Sequence, residues 1–513
     1  MKKTYIDTAM ERIAPDLILK GGNVVDVFSG RVIKADVIIK DGIICGVGSY
    51  SGENEQDVSG KYIMPGFIDS HVHIESSMTQ PSEYAKAVMP HGITTVIADP
   101  HEITNVCGED GLEFMLKSAK NIPLDVNLML PSCVPATPFE HTGANLDAKT
   151  TQKLAPKFFG IGEMMNYPGI VSGDDETLGK LCLDIVDGHA PLLSGHELDA
   201  YASAGIKTDH ECSVVEEMTE KISKGMYILL REGTLSLDVA KLIKGVTPYT
   251  LRRCAFCTDD RFVGEIIRDG SIDHCIRKAV SLGLNNIDAI IMATLNACEI
   301  YGMKNKGAIA PSYVADIVVA DDLNLSSISQ VYKNGKLVCE NGKALFECET
   351  VDNSKVTNTV HLPKISADFF KTDVKDKFDA IELIPESIIT KKVTVSYSDS
   401  LSKVCVIERH HNLGTKGIGF VTNYGITNGA IATSIGHDSH NVIVIGDNDS
   451  DMALAVNTLG TSGGIAVCSE GKVIASMTLD IAGLMSVKSA DEVTREHDNL
   501  YSAAKVLNIT DKI

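Results

Sequence analysis

The chain of 513 residues predicts an α/β protein: a (β/α)8 barrel inserted in a small β-sandwich, with an additional C-terminal α+β domain. Three observations predict it. Short apolar runs alternate with helical stretches from Met64 to about residue 300, the pattern of βα units around a parallel sheet. Glycine-punctuated β runs flank that block on both sides. Strand-rich sequence then returns beyond a polar stretch near residue 349. At about 100 to 200 residues per domain, the length accommodates several separate cores.

Residues 1–63 form the first part of the small β domain, with β runs at 17–20, 35–40 and 42–48. Asp41-Gly42 marks a hairpin between two of them, because glycine allows the positive φ such turns require. Residues 64–305 hold eight candidate strands, whose C-terminal ends fall near His71, Asp99, Leu130, Glu163, His189, His210, Arg231 and Asp259. Eight strands close a barrel, and in such barrels the catalytic side chains sit at these strand ends. Residues 306–348 bring β runs back at 315–320 and 330–339, which complete the first sheet and leave the barrel inserted in it. Residues 349–513 make the C-terminal domain, entered through a polar linker at 349–363.

Hydrophobic residues at 44% and charged residues at 22% are globular values, which excludes wholesale disorder. A formal net charge of -21 repels phosphate backbones and anionic membranes, so nucleic acid is set aside as a partner. Apolar runs stay far short of the ~20 residues needed to span a bilayer. The first 16 residues mix both charge signs without the apolar core of an export signal. The 13 cysteines show no disulfide framework, which suits a reducing cytoplasm. Cys254 and Cys257 have redox spacing but lie in a strand-like run, where they are expected as two buried thiols. A homo-oligomer is compatible with this composition.

His71 and His73 directly follow an apolar run. Strand alternation puts both imidazoles on one face, where they can bind one metal or serve as hydrogen-bonded polar residues. Glu163, His189, His210 and Asp259 end later strands in the order that surrounds the barrel mouth. Such histidines and carboxylates suffice for two divalent ions. Glu163 is the expected bridging anion between them. A bridging hydroxide, formed as the pKa of water falls from 15.7 to roughly neutral, would attack an electron-poor carbon. Asp259 takes its proton and returns it to the departing nitrogen.

The run from Met64 to His73, MPGFIDSHVH, resembles the first-strand signature of the amidohydrolase superfamily. The stretches at 74–78 (IESSM), 98–105 (ADPHEITN), 162–166 (GEMMN), 187–191 (DGHAP), 258–261 (TDDR) and 437–441 (HDSHN) resemble the bacterial adenine deaminase family, from the first sheet to the C-terminus. The resemblance implies that His71, His73, Glu163, His189, His210 and Asp259 are the metal ligands. It implies manganese or ferrous iron as the metal, and a donor set of nitrogen and oxygen suits zinc as well. The implied reaction is hydrolysis of adenine to hypoxanthine and ammonia in purine salvage, with no organic cofactor. Many superfamily members carry a carboxylated lysine on the fourth strand; Glu163 stands there instead and separates this chain from hydantoinase-like and urease-like members. Two alternatives stand beside this reading: a dihydroorotase-like cyclic-amide hydrolase, and a noncatalytic scaffold, whose mark would be loss of the ligands that this chain retains.

Asp99, His101 and Glu102 end the second strand and can shape the purine pocket or simply hold a turn fixed by Pro100. Arg231 and Glu232 end the seventh strand, as readers of a purine ring nitrogen or as a buried ion pair. His437 and His440, together with Glu408, His410 and His411, either close over the substrate or form an internal polar network. His196 flanks a helical stretch and is not counted as a ligand. His274 also lies in a helical stretch, where an exposed or hydrogen-bonded histidine is the default, and the family resemblance makes it a weaker functional candidate. The segment from Asn412 to Lys416 departs from the family's glycine-rich pattern. The glycine-rich stretches at 414–420 and 461–464 lack the strand and helix that phosphate loops require and are expected as turns.

Overall fold

The computed structural model describes residues 2–373, 376–384, 390–396 and 401–509. The turn marked by Asp41 and Gly42 joins strands Arg31–Lys40 and Ile43–Gly48, and both turn residues have positive φ, 49° and 75°, as a two-residue hairpin requires. These strands belong to a nine-stranded sheet that also contains Leu17–Asp26, Tyr62–Pro65, Ile317–Ala320, Ile328–Lys333 and Lys336–Glu340. Ile317–Ala320 runs antiparallel to Tyr62–Pro65, with Val318 opposite Met64. The chain thus leaves this sheet for the barrel at one strand and re-enters it on the neighbouring one.

Eight parallel barrel strands follow: Phe67–Val72, Ile93–Ala98, Asp125–Leu130, Gly160–Met164, Val186–Gly188, Thr208–Asp209, Tyr227–Arg231 and Cys254–Cys257. Their ladders form an arc of five and an arc of three. The arcs meet on one side through a parallel bridge between Val72 and Asp259, and on the other where the Gly188 N–H donates to Thr208 Oγ1 at 3.0 Å. The first, second, fourth and eighth strands are buried along their whole length; the eighth is wholly apolar, while Asp69, Ser70 and His71 in the first, Thr94 and Thr95 in the second and Glu163 in the fourth are buried polar groups. Cys254 and Cys257 are buried and unpaired, and burial pushes the Cys254 thiol up to about 12, so neither is a ready nucleophile.

The C-terminal region forms an eight-stranded sheet. Its helix Ala490–Ala504 starts at a capping box between Ser489 and Glu492. Val493 and Leu500 on that helix share a hydrophobic core with Val263 and Ile266 of the barrel, so the sheet is packed onto the barrel by a continuous apolar contact. Residues 349–363 are a packed strap rather than a loose linker: Val356 and Val360 are buried, and Thr357 bridges Ile481. The stretch at 414–420 is a turn only at its start. Lys416–Thr422 is a strand, because Ile418 and Phe420 alternate with small Gly417 and Gly419 on a pleated surface. Among the described residues, no helix is long and apolar enough to cross a membrane.

Candidate metal centre and active site

The C-terminal strand ends bring His71, His73, Glu163, His189, His210 and Asp259 together at the barrel mouth. Ligand atoms of His71, His73 and Glu163, of His71, His210 and Asp259, and of Glu163, His189 and His210 all converge within 4.8 Å. Glu163 is central: Oε1 stands 3.4 Å from His73 Nε2, and Oε2 stands 2.6 Å from His189 Nδ1 and 3.2 Å from His210 Nε2. Asp259 Oδ1 stands 3.1 Å from His73 Nε2 and 3.6 Å from His71 Nε2.

The hydrogen bonds around the cluster decide which nitrogens face inward. His73 Nδ1 is 2.8 Å from the Asp99 carbonyl, which can only accept, so Nδ1 carries the hydrogen and Nε2 presents a lone pair. His71 Nδ1 likewise donates to Asp187 Oδ2 at 3.0 Å. The two Nε2 atoms nonetheless stand 3.1 Å apart, an approach of lone pairs that a cation or proton must hold. The electrostatics agree. Burial opposes a charged His71, yet Asp187 and Asp259 raise it to about 10. Burial likewise opposes a charged Glu163, yet His189, His101 and His210 hold its carboxyl well below the usual range. Buried imidazole nitrogens and ionised carboxylates fit a divalent metal.

Asp99 and His101 support this cluster. Asp99 Oδ2 accepts the Glu163 N–H at 2.9 Å, and His101 Nε2 stands 3.2 Å from Glu163 Oε1. Gly162 makes the first contact possible, because a Cβ there would lie 2.1 Å from Asp99 Oδ2. Gly162→Ala is therefore expected to lower stability by about 1–3 kcal/mol, read as a fall in the calorimetric melting temperature. Glu102 Oε1 is 2.6 Å from Ser76 Oγ, which is also 2.5 Å from Asp260 Oδ1.

Arg231 and Glu232 part company. Arg231 gives its donors to Asp259 Oδ2 at 2.9 Å, to Asp238 Oδ2 at 3.1 Å and to Glu211. Glu232 turns away from the cluster towards Lys278 and His274. His196 is fully exposed on helix Gly195–Ser203.

The C-terminal domain supplies a wall over the mouth. His440 Nε2 lies 3.9 Å from Glu102 Oε2, and ligand atoms of His437, Glu102 and Asp260 lie within 4.8 Å of one another. His410 instead binds the Ser439 carbonyl at 2.8 Å, and His411 the Thr142 carbonyl at 2.9 Å.

Sequence reasoning missed Asp187, Ser76, Glu75, Asp260 and Glu211. Asp187 was within reach, because it sits two residues before His189 on a strand and so shares its face. Ser76 and Glu75 carry no such signal. They belong to a 3-10 turn, Ile74–Ser77, whose direction is set by packing. Burial and the neighbouring Glu102 carboxylate push Glu75 up to about 8.

Comparison with known proteins follows the same division of the chain. Residues 62–338 match the Amidohydrolase family, and residues 383–512 match the Adenine deaminase C-terminal domain. Adenine deaminase of Clostridium acetobutylicum is 47% identical over 525 residues, covering 98% of this chain and 91% of that protein. Adenine deaminase 2 of Desulfotalea psychrophila is 44% identical, with 98% and 91% covered. Adenine deaminase of Halalkalibacterium halodurans is 43% identical, with 96% and 88% covered. Among solved structures, enamidase overlays 65% of this chain and 100% of its own at 18% identity, with a TM-score of 0.49. On the family and full-length sequence matches, the chain belongs to the adenine deaminase family of the amidohydrolases.

Proposed function

We propose that this chain hydrolyses adenine to hypoxanthine and ammonia, a purine-salvage reaction of the cytoplasm. The observation that carries the reading is the buried cluster around Glu163, roofed by the segment holding His437 and His440 from the domain that marks the family. Family membership implies a divalent metal. His71, His73, Glu163, His189, His210 and Asp259 would hold two such ions, with manganese or ferrous iron the proposed metal and zinc compatible with the donors. Bound there, the ions supply Lewis acidity and a lowered pKa for water.

Asp259 is the proton carrier. Its Oδ1 faces the cluster and Arg231 fixes its Oδ2. Against burial, His71, His73 and Arg231 together keep the group ionised, so Oδ1 can take a proton from water and return it to the departing nitrogen. Arg231 is thus a holder of carboxylates rather than a reader of the purine. Glu102 and His440 face one another across the mouth as an acceptor and a donor for the purine edge. Asp99 and His101 set the position of Glu163, and Glu232 takes no part in the site.

The test is ammonia release from adenine by purified protein expressed with manganese, alongside elemental analysis. Hypoxanthine formation with about two metals per chain, lost on chelation and restored by manganese, supports the reading. Turnover of a cyclic amide without turnover of adenine would overturn it, and tight-binding metal absent after supplemented expression would point to a scaffold.

Asp187 gives a graded check. It orients His71 through Nδ1, and its Oδ1 is itself held by the hydroxyls of Thr208 and Tyr301. Asp187→Ala is expected to weaken metal binding by roughly 10–100-fold, the usual effect of removing a carboxylate that orients a liganding histidine, measured by competition with a metal indicator.

A further inference from the structure

Arg409 follows the strand Ser402–Ile407 and is 0% exposed, yet its guanidinium meets no carboxylate among the described residues. Burial lowers its pKa to about 10, the mark of a cation held dry at a cost in stability. An apolar side chain of similar volume would serve packing at least as well. What Arg409 does instead is join three separate segments. Nε donates to the His440 carbonyl, Nη1 to Thr359 Oγ1 at 3.1 Å, and Nη2 to the Ala482 carbonyl at 2.9 Å.

Each segment leads somewhere. Thr359 lies in the strap, whose His361 N–H donates to the Arg409 carbonyl at 2.8 Å. Ala482 lies in a turn tied to the barrel, because the Ser486 N–H donates to the Met78 carbonyl at 2.9 Å, just beyond Ser76 in the first barrel loop. Gly483 lets that turn approach, since a Cβ there would stand 2.6 Å from Arg409 Nη1. His440 belongs to the wall itself. Its Nδ1 accepts the Gly436 N–H at 3.3 Å, so the neutral ring carries its hydrogen on Nε2. That Nε2 is buried, has no hydrogen-bond partner and is directed at Glu102.

We propose that Arg409 is a positioning residue: by fixing the His440 carbonyl against the barrel-tied turn, it holds residues 434–441 as a rigid wall of the substrate site and sets substrate affinity rather than metal binding. The proposal rests on the adenine reading for its substrate. The wall presents a donor on His440 to a heteroaromatic ring that offers an acceptor nitrogen. Without Arg409 the wall keeps its own turn but loses its register over the mouth.

The experiment compares manganese-loaded full-length protein with Arg409→Gln, Arg409→Lys and Thr359→Val. Arg409→Gln is expected to raise KM for adenine by roughly 3–10-fold, the worth of about one misaligned hydrogen bond, while kcat and metal content stay close to wild type. Thr359→Val should shift KM in the same direction by less. Hydrogen exchange of the resting protein should speed up within residues 434–441 and stay unchanged in the strand Val442–Gly446 that follows. Unchanged KM and exchange in these variants would overturn the proposal. So would loss of kcat and metal in proportion, or lost protection across the whole C-terminal sheet, which mark a general strut. If Arg409→Gln does not fold, Arg409→Lys and Thr359→Val decide by the same readouts. Should wild type leave adenine untouched, the functional reading fails, while the exchange measurement still decides the positioning role.

Discussion

Replacing Glu163 by glutamine is expected to lower kcat/KM for adenine by about 10³-fold or more and to strip metal from the purified protein. Glutamine keeps the shape of the side chain, so the fold should survive, as circular dichroism and thermal melting would verify. What it removes is the anion that, among the described residues, reaches His73, His101, His189 and His210 together. A 10³-fold loss corresponds to about 4 kcal/mol of transition-state stabilisation. Each 1.4 kcal/mol of transition-state stabilisation is about tenfold in rate. Elemental analysis and steady-state kinetics on one preparation check both parts. Wild-type metal content with wild-type kcat/KM would remove Glu163 from the centre of the site.

Asp259→Asn should act differently, lowering kcat by about 10²–10⁴-fold, the range for loss of a positioned acid or base, with a much smaller change in KM. Asparagine is the informative choice because residue 259 has a positive φ of 58°, a conformation that Asp and Asn tolerate better than most side chains. The amide oxygen can still accept the Arg231 contact that Asp259 Oδ2 now receives at 2.9 Å. The Arg231 contact is retained, while the Nδ2 that replaces Oδ1 can neither take the proton nor hold a metal, so a partial loss of metal is expected beside the larger loss of kcat. Equal losses in kcat and metal content would instead assign Asp259 to metal holding alone.

The barrel was legible because short, mostly apolar runs alternate with helical stretches, and most of those runs close on a His, Asp, Glu or Arg at the mouth. His71 and His73 were legible as a pair because strand alternation fixes their common face without any tertiary information. Arg231 shows the limit of such reasoning. Its place at a strand end is written in the sequence, but its engagement with Asp259, Asp238 and Glu211 depends on three strand-end loops arriving at one point. The strap at 349–363 illustrates the same limit, since polar composition predicts a linker while Val356 finds a core supplied by Ile481 and its neighbours.

By itself the sequence determined the order of elements, the eight strands, the turn at Asp41 and Gly42, and the residue types available at the barrel mouth. These follow from local periodicity and local backbone preference, which act over a few residues. Only the tertiary structure decided that the lone pairs of His71 and His73 meet, that Asp187 and Asp99 hold those rings, and that a C-terminal segment secured by Arg409 stands over Glu102. The hold of Asp187 on His71 joins residues about a hundred positions apart and the approach of His440 to Glu102 joins residues over three hundred apart, and no local rule carries information over such a distance.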